Sequence, residues 1–151
     1  MSQGLSESFT SERGFLDVLS PASPAAGANY SFTVGSQSVD GLRVVACLAT
    51  LTTDANAANR FFALDYRSDR YGTVLRNGAP LVVTANTTAR VYQWDRAHAQ
   101  ADLVAGSMVW CPLADVILTP GWAVRLTVDN IQVGDTITAI SFVVEKFYPD
   151  S

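Results

Sequence analysis

Apolar and polar residues alternate with a period of two over several short stretches of the chain, and this pattern predicts β-strands. The clearest lies at residues 118–147. There a Pro120-Gly121 turn leads into an alternating run at 123–129, and a second turn at 132–135 leads into a longer run at 136–147. β-branched and aromatic residues fill both runs, which are expected to be strands and the best-specified pair in the chain. In residues 28–34, Tyr30, Phe32 and Val34 alternate with Asn29, Ser31 and Thr33, the pattern of a half-buried strand. A polar turn is expected at 35–41.

Residues 42–53 are largely apolar in both parities, with Val45, Cys47, Ala49 and Leu51 in one set and Leu42, Val44, Ala46 and Leu48 in the other. A strand covered on both faces reads this way, inside a sandwich or beneath a subunit contact. After a connection at 54–59, the run at 60–67 alternates Phe62, Leu64 and Tyr66 with Phe61, Ala63 and Asp65, so the two runs are expected to form a hairpin. Asn77-Gly78 is a favoured turn dipeptide, flanked by short candidate strands at 72–76 and 81–84. Residues 88–95 alternate Arg90, Tyr92 and Trp94 with Ala89, Val91 and Gln93. Residues 96–106 read as a loop with room for one turn of helix, and Pro112 divides 107–118 into two extended pieces.

Before residue 28 the pattern changes. Residues 1–14 are small and polar and read as a mobile leader; Phe15, Leu16, Val18 and Leu19 form a brief apolar island; residues 20–27, with Pro21 and Pro24, read as an extended linker. An island beyond such a linker suits an arm that docks on a neighbour, or an edge strand of its own domain. The chain thus divides into an N-terminal arm and linker (1–27) and a β-sandwich domain (28–151). Eight to ten short strands, no long helix and regularly spaced turns predict an all-β fold: an antiparallel β-sandwich, jelly roll or related barrel. No internal repeat is visible.

Composition narrows the function classes. With 151 residues, 48% apolar and 16% charged, the chain suits one globular domain whose surface is partly covered by copies of itself or by a partner. A net charge of −4 argues against a nucleic-acid surface. No apolar run approaches the roughly 18 residues of a membrane span, so no membrane partner is expected. The first residues lack the basic and apolar regions of a signal peptide. Cys47 and Cys111 lie in apolar runs and read as buried free thiols.

Few residues suggest chemistry. His98, the single histidine, sits in a polar loop with no cysteine near it, which fits neither a zinc site nor an oriented general base. Among the carboxylates, Asp65 with Asp69, and Asp129, Asp135 and Glu145, are the candidates for a hydrolytic pair; Asp129 and Asp135 stand in turns, where aspartate commonly bonds its own backbone. No calcium loop, nucleophile elbow, phosphate loop or dinucleotide fingerprint is present. Neither catalytic residues, metal ligands nor a cofactor are therefore expected. Trp94, Tyr92 and Trp122 can serve as subunit anchors or as stacking platforms for glycans. The sequons at Asn29 and Asn86 carry no weight without a secretion signal.

Three groups of residues together carry a resemblance. They are Ala49-Thr50-Leu51-Thr52-Thr53 running into Ala57-Ala58-Asn59-Arg60, then Leu118-Thr119-Pro120-Gly121-Trp122 with Arg125 on the next strand, and the Val133-Gly134-Asp135 turn leading to Val143-Val144-Glu145-Lys146-Phe147. Over residues 28–147 the chain resembles small virion structural proteins of tailed bacteriophages, which have a jelly-roll-like sandwich. The resemblance implies a non-enzymatic scaffold made in the host cytoplasm and carried on the virion. Capsid decoration or head-fibre components come first, with tail or baseplate glycan-binding parts as the alternative. The expected partners are the major capsid protein or other virion proteins and further copies of the chain, with a homotrimer favoured because a jelly roll can pack sideways around a three-fold axis. The candidate interface residues are Phe15, Leu16, Val18, Leu19, Tyr92, Trp94 and Trp122.

Overall fold

A computed structural model describes residues 14–34, 41–79, 89–96, 102–104 and 108–148. The strands are β1 (Phe15–Leu19), β2 (Tyr30–Thr33), β3 (Gly41–Thr52), β4 (Phe61–Ser68), β5 (Gly72–Gly78), β6 (Ala89–Asp95), β7 (Asp102–Val104), β8 (Met108–Pro112), β9 (Ile117–Leu118), β10 (Trp122–Asp129) and β11 (Thr136–Phe147). They form two sheets. The larger runs β1-β11-β3-β6-β8-β7, with β9 also on β3, and the smaller runs β2-β10-β4-β5.

The order is informative. Setting β7, β8 and β9 aside, β1-β11-β3-β6 faces β2-β10-β4-β5, the strand order of an eight-stranded jelly roll built from two Greek keys. The three short strands are inserted between β6 and β10 and widen the larger sheet. All pairings but one are antiparallel; β8 runs parallel to β6, with Trp94 opposite Cys111.

Why these residues form these layers follows from the alternation. On β4 and β10, Phe62, Leu64, Tyr66, Val124 and Leu126 turn inward and are buried. They meet Trp94, Tyr92, Cys47, Phe142 and Val144 of the larger sheet. Rings close the interior: Phe62 packs edge-on against Tyr92 (4.7 Å) and Trp94 (5.3 Å), and Phe32 stacks on Phe142 (4.8 Å). The Trp94 indole N–H donates to the Asn77 carbonyl across the sandwich at 3.1 Å.

The structure differs from several expectations. The runs at 42–53 and 60–67 do not form a hairpin, because β3 belongs to the larger sheet and β4 to the smaller. Likewise β10 and β11 lie in opposite sheets and do not pair with each other. Both connections are arches between layers, and a buried ion cluster described below holds them. Asn77-Gly78 is not a turn: both residues pair within β5, opposite Leu64 and Ala63. A side chain on Gly78 would collide with the Phe61 ring, so glycine serves packing there. The hairpin in this region is β4–β5, turning through residues 69–71.

The parity of β3 also shifts part-way. Ala46 pairs with Val143 and Val44 with Val144, leaving Val45 as a bulge. The buried set is therefore Leu42, Val44, Cys47, Ala49 and Leu51, a mixture of the two parities expected from the sequence. Within 96–106, residues 102–104 form β7 rather than a turn of helix. The expected leader at 1–13, most of the polar turn at 35–40, the candidate strand at 81–84, and Asn86 and His98 lie outside the described residues.

Candidate interaction surface and the buried ion cluster

Two of the candidate interface residues are interior. Tyr92 and Trp94 are completely buried, inward-facing neighbours on β6, and cannot present rings to a sugar or a partner. The alternation that singled them out was sound. Its sign was not, since a central strand turns its large aromatics into the core. Trp122 is half-buried and packs against the core where β10 begins, opposite Ser68.

The N-terminal island lies elsewhere. β1 pairs with β11 of its own chain at the edge of the larger sheet, with Val18 opposite Val143 and Leu16 opposite Glu145. Leu19 packs against the core, but Phe15, Leu16 and Val18 remain 68%, 71% and 59% exposed. Inward from this edge, the outward positions of the larger sheet carry half-buried Val143, Ala46, Leu48 and Val91 with the uncharged Gln93 and Thr50. An apolar edge strand beside a partly apolar sheet face, bordered by the Arg43–Glu145 ion pair, is the feature of this surface that most needs covering.

One charged contact fastens β1. Lys146 Nζ meets Asp17 Oδ2 at 2.7 Å, and the Gly14 N–H donates to Glu145 at 3.1 Å. The hydrogen bond from Lys146 holds the Asp17 carboxyl below its ordinary value, and the same bond raises Lys146. A depressed carboxylate stabilises above its unfolded value of 3.8 and loses that contribution as pH falls through the lower folded value. A raised lysine stabilises below 10.5 and loses that contribution as pH rises through the higher folded value. Hydrogen-exchange protection of the β1 amides bonded to β11 is therefore expected to hold at neutral pH and to fall as the pH is lowered beyond 3.8 and Asp17 takes up its proton, with β3 unaffected. Equal protection of β1 at neutral and acid pH would contradict this.

The second charged feature is internal. Arg60, fully buried just ahead of β4, donates Nε to Asp135 at 2.9 Å and Nη2 to Asp135 at 3.0 Å and to Asp54 at 2.6 Å. Its Nη1 donates to the carbonyls of Asn56 (2.8 Å) and Ala58 (2.9 Å). Asp135, also fully buried, accepts the backbone N–H groups of Asp54 and Gln132, each at 2.8 Å. Asp54 accepts the N–H of Gly134 at 3.0 Å, where a side chain on Gly134 would strike the Asp54 carboxylate. Burial pushes the Asp54 carboxyl upward, but bonds from Asn56 and Gly134 and the Arg60 charge together bring it below its ordinary value. Two arches from different parts of the chain are thus locked to one guanidinium. Asp135 bonds its own turn through the Gln132 N–H, as expected of an aspartate in a turn, whereas the role of Arg60 is not evident from alternation. An arginine heading an otherwise apolar run was the available signal.

Among the described residues, the candidate carboxylates are not brought together as a hydrolytic pair. Asp65 is fully buried and bridged by Arg76 (2.8 Å) and Arg125 (3.4 Å) on the smaller sheet, while Glu145 pairs with Arg43 (3.3 Å) on the larger. Each carboxylate is neutralised by arginine, and the two do not flank a common cleft. Among the described residues, no group of three or more His, Cys, Asp and Glu side chains could hold a metal ion.

Cys47 and Cys111 are free and buried. Both lie opposite Trp94, one on each side, which sets them two strand spacings or about 10 Å apart, too far for a disulfide. Burial pushes both thiols up, Cys111 to about 12. Iodoacetamide at pH 8 is accordingly expected to leave the native protein unmodified and to alkylate both cysteines after denaturation, as read by intact mass. Rapid addition to the native protein would show that the interior opens.

No family model matches the chain, and no curated protein matches it significantly. Among solved structures it is similar to the structure of infectious bursal disease virus Gx strain, at 9% identity and a TM-score of 0.27. That likeness covers 92% of this chain and 43% of the other, so the chain spans less than half of that structure's length. At so low a TM-score the likeness carries no argument, and the jelly roll stands on its own strand order.

Proposed function

We propose that the chain is a non-enzymatic structural protein of a tailed-phage particle, a decoration or cement component that self-associates, as a trimer, and binds the head surface. The observation that carries this reading is the apolar edge strand β1, with Phe15, Leu16 and Val18 exposed beside an outward face of the larger sheet on which Val143, Ala46, Leu48 and Val91 are half-buried. The resemblance of residues 49–60, 118–125 and 133–147 to phage virion proteins supports the setting, and the jelly-roll strand order is compatible with it. Closed cyclic assembly is the usual outcome when identical chains associate. The glycan-binding alternative loses Trp94 and Tyr92, which are interior, and keeps the half-buried Trp122.

Light scattering at micromolar concentration, with co-sedimentation on capsids that lack the protein, tests the proposal. A closed oligomer that pellets with capsids is expected. A monomer that stays in the supernatant would sink it.

A further inference from the structure

β1 is joined to the roll in an unusual way. Its ladder is with β11 alone, and it closes the edge of the larger sheet. Behind it runs Ser20-Pro21-Ala22-Ser23-Pro24, and the backbone ties outside the ladders resume only where the Ala28 N–H meets the Ala25 carbonyl (3.1 Å) and the Gly27 N–H meets the Asp135 carbonyl (2.8 Å). Gly27 is fixed there at a φ of 76°, where a side chain would sit 3.1 Å from the Val133 Cα. The five residues Ser20 to Pro24 can extend over about 17 Å, and their two prolines keep them extended.

The backbone and charged contacts of β1 belong to β11: the register from Phe15 opposite Lys146 to Leu19 opposite Phe142, the Asp17–Lys146 bridge and the Gly14 bond to Glu145. Leu19 packs against the core, and the Phe15 ring against Tyr148, just past β11. An identical chain offers an identical β11. We propose that in the assembled protein β1 leaves its own roll and occupies the β11 edge of the next copy, so that identical chains exchange this strand. The proposal rests on the self-association reading above and specifies how the copies are joined. Exchange keeps every β1–β11 contact and brings the bodies of two copies together at the strand whose three apolar side chains the closed form leaves exposed. Passed head to tail, the exchanged strand closes a ring. Its cost is the loss of free translation, so exchange is favoured as concentration rises.

Crosslinking at the directly opposed pair Val18 and Val143 tests this. Neighbouring antiparallel strands place opposed Cα atoms about 4.5–5.5 Å apart, within disulfide range. The full-length V18C/V143C protein is oxidised, sized by light scattering under native conditions, and run on a denaturing gel without reductant. Covalent oligomers from a native oligomer are expected. A native oligomer that runs as internally crosslinked monomer would overturn strand exchange and leave self-association standing, whereas a native monomer would overturn both. The L16C/E145C protein repeats the measurement at the next opposed outward-facing pair, in case the first variant fails to fold. Absence of any crosslink in both folded variants would show that β1 does not occupy a β11 edge, and would overturn the proposal.

Discussion

Replacing Asp135 with alanine is expected to cost about 3–5 kcal/mol of folding stability, the usual effect of stranding one partner of a buried ion pair. Three losses combine. Arg60, fully buried, keeps only Asp54 and two carbonyls as partners. The backbone N–H groups of Asp54 and Gln132 lose their acceptor. The two arches between the sheets then lose their common anchor. The companion R60M/D135L variant removes both charges and is expected to recover only part of the loss, because those two backbone groups stay unsatisfied. Urea denaturation of R60M, D135L and the R60M/D135L double variant checks this through the coupling energy. A D135A protein within about 1 kcal/mol of the parent would mean that the arches hold without the cluster.

Trp94→Ala is the second large effect, again about 3–5 kcal/mol, from cavity formation in a close-packed core. The indole fills the space between Cys47 and Cys111 on its own sheet and meets Phe62 from the other. Its removal also strips the Asn77 carbonyl of its donor. For a domain of this length the melting temperature is expected to fall on the order of 10 °C. Trp94→Phe keeps most of the volume and loses the hydrogen bond, so it is expected to cost less, about 1–3 kcal/mol. Scanning calorimetry of both variants reads the difference. If Trp94→Ala melted with the parent, the ring would be a surface group and not part of the interior.

Both residues show what was legible in the sequence. The existence of strands was, because alternation is local: residues 61–68, 89–95 and 122–129 carry their period within themselves. Strand partnership was not. Six connecting residues permit either a hairpin or an arch, and the choice at residues 54–59 is coupled to Asp135, 81 positions beyond Asp54. Asn77-Gly78 misled for a related reason, since its glycine answers to Phe61 and its asparagine carbonyl to Trp94, both remote along the chain. The candidate surface was half legible. Phe15, Leu16 and Val18 could be picked out as an apolar island, but alternation alone cannot say which side of a strand is wet, and so Tyr92 and Trp94 were misplaced.

The antiparallel register of β1 on β11 has a mechanical consequence. Phe15 lies opposite Lys146, so the described chain enters and leaves the roll at one corner, with the Arg60 cluster at the other end of β11. Tension between the two ends would open the β1 ladder rung by rung, like a zipper, instead of shearing its bonds together. The roll would therefore give first at β1, at low force, with the arches unloaded. Two tethers leaving from that corner would pull β1 aside and leave the folded body intact.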